Sequence, residues 1–233
     1  MIGIIGAMAV EVESFIAKLG DPVTKKHSGI SYIKGKFDET EVVVAQCGMG
    51  KVNAAVCAQT MILMYRPTVI INTGVAGALS PEVRIMDIVV AKCAVQHDLD
   101  LTPIGIEKGF VTEINAKFIP CAPNAVEILE KAARKFGNVH TGVIATGDQF
   151  ISSEKIKAAI VSDFDALACE MEGASIAHVC ALNNTNFGIV RTISDNADDD
   201  STFDFNEFLK EYAKKSADVI SEFLRLFSRH RKH

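Results

Sequence analysis

Five residues of this 233-residue chain have the chemistry of a reaction centre: Glu11, Glu170, Glu172, Arg191 and Asp195. Each stands beside a point where an apolar run gives way to glycine, serine or threonine. Glu11 follows Gly6-Ala7-Met8, Glu170 and Glu172 precede Gly173-Ala174, and Arg191 and Asp195 bracket Thr192-Ile193-Ser194. Carboxylates so placed can donate or accept protons or bind hydroxyls. Three further turns, Gly48-Met49-Gly50, Asn72-Thr73-Gly74-Val75-Ala76-Gly77 and Thr146-Gly147-Asp148-Gln149-Phe150-Ile151, have the glycines that let a ligand approach the backbone closely. Two residues apart, Glu170 and Glu172 cannot share a helical face, so at most one points into a given pocket. Helix capping explains the other, because a helix start favours anions. Thr192 and Ser194 could hold the Asp195 side chain, and an N-cap role for Asp195 is the competing reading.

Other motifs fail on inspection. Gly48-Met49-Gly50-Lys51 resembles part of a phosphate loop, but Ala45 replaces its first glycine and Val52 its magnesium-binding hydroxyl. The same glycines begin a dinucleotide fingerprint whose third glycine position is Asn53. Asp198, Asp199 and Asp200 lack the spaced ligands and terminal glutamate of a calcium loop. The histidines are scattered, His178 reads as a packed core residue, and no metal site is expected.

The elements that must position these residues alternate. Ile- and Val-rich strands are expected at Ile2–Ile5, Tyr32–Lys36, Val42–Cys47, Thr68–Asn72, Asp87–Gln96, Val139–Thr146 and Phe187–Ile193. Helices are expected at Val10–Leu19, Lys51–Met64, Pro123–Phe136, Met171–Leu182 and Phe205–Phe227. Apolar strands alternating with helices indicate an α/β protein with a mixed, largely parallel twisted sheet. In such sheets ligands collect at the carboxyl ends of the strands, where the candidate residues lie. No linker or repeat divides the chain, which reads as one domain over residues 1–233.

Composition narrows the function. Lys and Arg total 24 against 29 Asp and Glu, a net charge of -5 that argues against nucleic acid as the main partner. The basic tail from Arg225 to His233 suits the end of a terminal helix. Six cysteines without a CxxC pair read as reduced thiols. With no positive leader and no apolar run of membrane-spanning length, a cytoplasmic protein that does not enter a membrane is expected.

Taken in order, these motifs resemble those of the bacterial 5′-methylthioadenosine/S-adenosylhomocysteine nucleosidases of the nucleoside phosphorylase superfamily. The resemblance runs from Ile2-Gly3-Ile4-Ile5-Gly6-Ala7-Met8 and Glu11 through Gly48-Met49-Gly50-Lys51-Val52-Asn53-Ala54-Ala55 and Ile70-Ile71-Asn72-Thr73-Gly74. It continues in Thr146–Ile151, Glu170-Met171-Glu172, Arg191–Asp195 and Phe205-Asn206-Glu207-Phe208. It implies a three-layer α/β/α domain, a homodimer, no metal or organic cofactor, and hydrolysis of the adenine–ribose bond of a nucleoside thioether.

It also implies roles. Asp195 would protonate nitrogen 7 of adenine, which demands a carboxyl held protonated near neutrality. Glu11 would deprotonate the attacking water, oriented by Arg191. Glu172 would bind the ribose 2′ and 3′ hydroxyls and favour the developing cation. Phe150 matches the adenine-stacking position and the Ile151 backbone the group that reads the base edge. Met171 would lie against the ribose, with Met8, Met49 and Phe205 around the ribose and thioalkyl group. Gly77 and Ser194 complete the binding set.

Two departures stand out. Val75 occupies a position often serine in the family. Leu101-Thr102-Pro103-Ile104-Gly105-Ile106 is aliphatic where some members place aromatics across the dimer interface. The 5′ substituent is therefore open, with 5′-deoxyadenosine and futalosine derivatives among the candidates. A phosphorylase would need cationic donors for phosphate, but the first loop offers Glu11. A nucleoside-binding module without catalysis is the remaining alternative, and the three carboxylates count against it.

Overall fold

The structure, a computed structural model, describes residues 1–198 and 201–230, without the side chains of 201–208 and 230. Its strands are β1 (Ile2–Gly6), β2 (Gly20–His27), β3 (Ile30–Phe37), β4 (Thr40–Gln46), β5 (Val69–Ala78), β6 (Ile88–Gln96), β7 (Ile119–Pro120), β8 (Val139–Thr146), β9 (Ala166–Glu170) and β10 (Asn186–Asp195). Its α-helices are α1 (Ala9–Ile16), α2 (Lys51–Tyr65), α3 (Pro123–Ala133), α4 (Glu154–Phe164), α5 (Gly173–Leu182) and α6 (Ser201–His230).

Alternation along the strands sorts their side chains onto two faces. Ile2, Ile4, Val42 and Val44 join Val12 and Phe15 of α1, Ile128 and Leu129 of α3, and Ile220 and Phe223 of α6. Ile5, Val43 and Ala45 face the other way, onto Ala54, Cys57 and Met61 of α2 and Ile176 and Cys180 of α5. A third cluster seats Ile160 and Phe164 of α4 against Val95, Ala145 and Ala166. The result is a mixed α/β/α sandwich.

Strand pairing explains where the site forms. β4, β1, β5 and β10 run parallel side by side, as do β6, β8 and β9. Antiparallel pairings of β10 with β6 and of β9 with β5 join the two sets, so this half of the sheet closes on itself. Closure puts Gly77 in register with Cys169 on one side and Asp195 on the other. Gln96, Thr146 and Glu170 line up across three adjacent strands.

The structure departs from the sequence reading at identifiable places. β5 continues through Gly74 and Gly77 to Ala78, where a glycine loop was expected after Asn72. β2 was not anticipated: it is an exposed edge strand with Pro22 and three charged residues, carried by its hairpin with β3. α4 and β9 were not anticipated either, since α4 buries only Ile160 and Phe164 and β9 is five residues long. α5 starts at Gly173 because Glu172 is its N-cap, and α6 starts at Ser201. Among the described residues no helix is long and apolar enough to cross a membrane.

Candidate active site

Glu11 lies in the first turn of α1 and is 3% exposed. Its Oε2 accepts the backbone N–H groups of Ala7 at 2.7 Å and Met8 at 2.9 Å, and its Oε1 accepts that of Val75 at 3.2 Å. Burial pushes its carboxyl above the usual range, while the Arg191 charge and these three amides pull it back. A raised proton affinity suits a base working near neutrality.

Glu170 and Glu172 divide two tasks. Glu170, at the end of β9, accepts the amides of Glu172 at 3.0 Å and Gly173 at 2.9 Å, capping α5. It also accepts the Thr146 hydroxyl and the Arg191 guanidinium. Glu172 turns the other way, and its Oε1 accepts the Gly50 amide at 2.8 Å. Burial, reinforced by the Glu170 charge, pushes the Glu172 carboxyl up to about 7.

Arg191 differs from its expected role. Its Nη2 donates to Glu170 and, at 2.5 Å, to Asn72 Oδ1, and it stands 3.8 Å from Glu172. Backbone amides, rather than this guanidinium, hold the Glu11 carboxylate. Arg191 is buried behind the cavity and does not line it. Three buried carboxylates thus surround one guanidinium, an excess of negative charge that would stabilise a cation bound in front of it.

Asp195 ends β10 and is 3% exposed. Its Oδ2 accepts the Ser194 hydroxyl at 2.8 Å and its Oδ1 the Ala197 amide at 2.9 Å. Thr192 does not assist, because its hydroxyl pairs with Ser216 of α6 at 2.8 Å. Gly77 has to be small: a Cβ there would stand 2.7 Å from Asp195 Oδ1.

One cavity is lined by Glu11, Glu172 and Asp195 together with Met8, Met49, Gly77, Phe150, Ile151, Met171 and Ser194. The Phe205 side chain lies outside the described residues. The sequence reading did not single out Ala7, Ala76, Gln149 or Cys169, which also line the cavity. Glu170 and Glu172 both border it, where at most one was expected, because they lie at a strand end and an N-cap rather than on a helical face: β9 runs to Glu170 and α5 starts only at Gly173. The Cys169 thiol is pushed well up by burial, with the Asp195 and Glu170 charges adding to this, so it presents a neutral sulfur.

Comparison with known proteins places this site in a family. The family model described as the phosphorylase superfamily matches residues 1–225. The 5′-methylthioadenosine/S-adenosylhomocysteine nucleosidase of Shewanella loihica is 38% identical over 227 residues, covering 96% of this chain and 98% of its own. The crystal structure of the Neisseria meningitidis nucleosidase of the same name, in complex with methylthio-immucillin-A, superposes with a TM-score of 0.93 at 33% identity, covering 96% of this chain and 97% of that one. The futalosine hydrolase of Helicobacter pylori gives 0.92 at 35% identity, covering 96% and 97%. The chain belongs to the phosphorylase superfamily and, within it, to the 5′-methylthioadenosine/S-adenosylhomocysteine nucleosidases.

Proposed function

We infer that this enzyme hydrolyses the N-glycosidic bond of 5′-methylthioadenosine and S-adenosylhomocysteine, releasing adenine and the corresponding thioribose. The observation that carries the choice of nucleophile is the cavity's charge. Among the described residues its ionisable lining is acidic, from Glu11, Glu170, Glu172 and Asp195, with no lysine or arginine. Phosphate would need cationic donors there. Water does not.

In this reading Asp195 gives its proton to nitrogen 7 of adenine, so the base departs neutral with the electrons of the glycosidic bond. Glu11 takes a proton from water as the water oxygen bonds to the anomeric carbon. Glu172 accepts the ribose hydroxyls, and the surplus negative charge stabilises the oxocarbenium-like transition state. Phe150, 46% exposed at the mouth, offers a face for the purine, and Met8, Met49 and Met171 offer soft surfaces for the ribose and thioether.

The test is incubation with 5′-methylthioadenosine in phosphate-free buffer, with free adenine measured. Adenine plus methylthioribose supports the hydrolase, with S-adenosylhomocysteine compared next. Turnover only after phosphate is added would make it a phosphorylase. A futalosine derivative belongs in the same assay, because the H. pylori futalosine hydrolase is as similar in fold as the nucleosidases.

The proposal includes one catalytic domain per chain and a homodimer. α2 carries apolar side chains on two faces: Ala54, Cys57, Ala58 and Met61 enter the core, while Val52, Val56 and Leu63 face solvent at 74%, 39% and 66% exposure. A helix apolar on both sides is normally covered on both. Light scattering would read about twice the 25.2 kDa chain mass for the dimer; the chain mass itself would remove it.

A further inference from the structure

We propose that Lys51, Asp98 and Asp148 form a clamp that positions Glu172 through the Gly50 amide. This rests on the assignment of Glu172 to the ribose hydroxyls, and none of the three residues lines the cavity.

The clamp is a closed ring of hydrogen bonds joining three elements. Asp148, just after β8, accepts the Lys51 backbone N–H on Oδ1 at 2.7 Å. The Asp148 backbone N–H donates to Asp98 Oδ2 at 2.9 Å. Asp98, just after β6, accepts the Lys51 ammonium on Oδ1 at 2.6 Å, which closes the ring. The Lys51 carbonyl in turn accepts the Ser175 hydroxyl at 2.7 Å, tying the same turn to the helix whose N-cap is Glu172.

Gly50 is gripped from both sides. Its N–H points inward to Glu172 Oε1, and a Cβ on its outer side would stand 3.0 Å from Asp148 Oδ1. Its φ of 94° is a conformation L side chains rarely adopt, so the turn is built around a residue that can be held this tightly. Met49, in the same turn, reaches the cavity.

This grip matters because Glu172 has few other supports. Gly50 provides the hydrogen bond to its side chain, while Arg191 stands 3.8 Å away, committed to Glu170 and Asn72. Glu170 on β9 and Glu11 on α1 both oppose its ionisation, and the Cys47 thiol lies close enough to feel its charge. If the Gly50 amide drifts, Glu172 keeps its repulsive neighbours and loses its donor. It then holds a proton to higher pH and accepts the ribose hydroxyls less well.

The experiment compares kcat/KM on 5′-methylthioadenosine and on its 2′-deoxy analogue, from about pH 5.5 to 9, for wild type, D148A, D148N and E172Q. D148A is expected to lose about tenfold on 5′-methylthioadenosine and clearly less on the 2′-deoxy analogue, with its acidic limb moved to higher pH. D148N, whose amide oxygen still accepts the Lys51 N–H, is expected to recover most of the loss. Equal losses on both substrates, or an unmoved acidic limb, would overturn the clamp. If D148A does not fold, K51M takes its place, keeping the backbone N–H but losing the ammonium–Asp98 contact, with the same substrate pattern expected. E172Q separates the two readings. An unimpaired E172Q would remove the Glu172 assignment itself, while an impaired E172Q beside a wild-type-like D148A would remove only the clamp.

Discussion

Arg191 gives its guanidinium to Glu170, two residues before Glu172, the carboxylate we assign to the ribose hydroxyls. That pairing spends the site's buried positive charge on a structural partner. Glu11 and Glu172 feel it only at longer range, and burial outweighs it for both, raising their proton affinity. A site with more buried carboxylates than cations retains protons near neutrality, which acid–base catalysis at that pH requires.

Asp195→Asn is expected to reduce turnover by roughly 10²–10⁴, about 3–5 kcal/mol, the usual worth of a general acid. Asparagine preserves the shape: its Oδ1 can accept the Ala197 amide, and its Nδ2 can donate to the Ser194 hydroxyl oxygen where the carboxylate accepted from it, so the fold should hold. Adenine release measured on a variant of native circular dichroism decides the matter. Near-normal turnover would take Asp195 out of that role.

Glu170→Ala should act on stability as well as on rate. It leaves Arg191, 2% exposed, without its carboxylate and the first amides of α5 without their acceptor. Removing one partner of a buried pair costs about 3–5 kcal/mol. Urea denaturation would show it as a lowered midpoint at unchanged slope. A midpoint like wild type would mean that Asn72 alone satisfies Arg191.

The strand core was legible because continuous apolar runs such as Ile2–Ile5 and Val42–Ala45 can be buried on both faces only between helix layers. Asp195 and Ser194 were legible as neighbours in sequence. Thr192 was misjudged because its hydroxyl is taken by Ser216 of α6, and an irregularity in β10 between Ile193 and Asp195 breaks the simple alternation that would relate it to Ser194. Glu170 as the partner of Arg191 was not legible, since that contact spans 21 residues and depends on the sheet closing on itself. The same closure turned the expected glycine loop after Asn72 into strand, with Gly77 wedged between Cys169 and Asp195.

Stability should fall as pH rises through neutrality. The Glu172 carboxyl is raised from 4.5 to about 7, so between those values the native state binds more protons than the unfolded chain. Its contribution is complete below the unfolded value and is lost as pH climbs through the folded one. The melting temperature should drop on the order of 5 °C across that window. Glu172→Gln, which cannot ionise, should flatten the dependence. A variant that melts with the slope of wild type would place the titration on another group.

Gly77→Ala tests how closely the acid is packed. The added methyl would sit 2.7 Å from Asp195 Oδ1, closer than real contacts allow, and 3.0 Å from the Ala197 Cβ, tighter than almost all of them. Ala197 donates its amide to the same Asp195 oxygen, so the two obstacles move together. Overpacking of this kind costs about 1–3 kcal/mol of stability. The larger effect should be on rate, because a displaced Asp195 no longer meets nitrogen 7 in line, and a shift of about 1 Å costs on the order of a hundredfold. The informative measurement is kcat against KM with 5′-methylthioadenosine. A fall in kcat at nearly constant KM fits a misplaced acid, whereas a rise in KM alone would mean that Gly77 serves only to make room for the substrate.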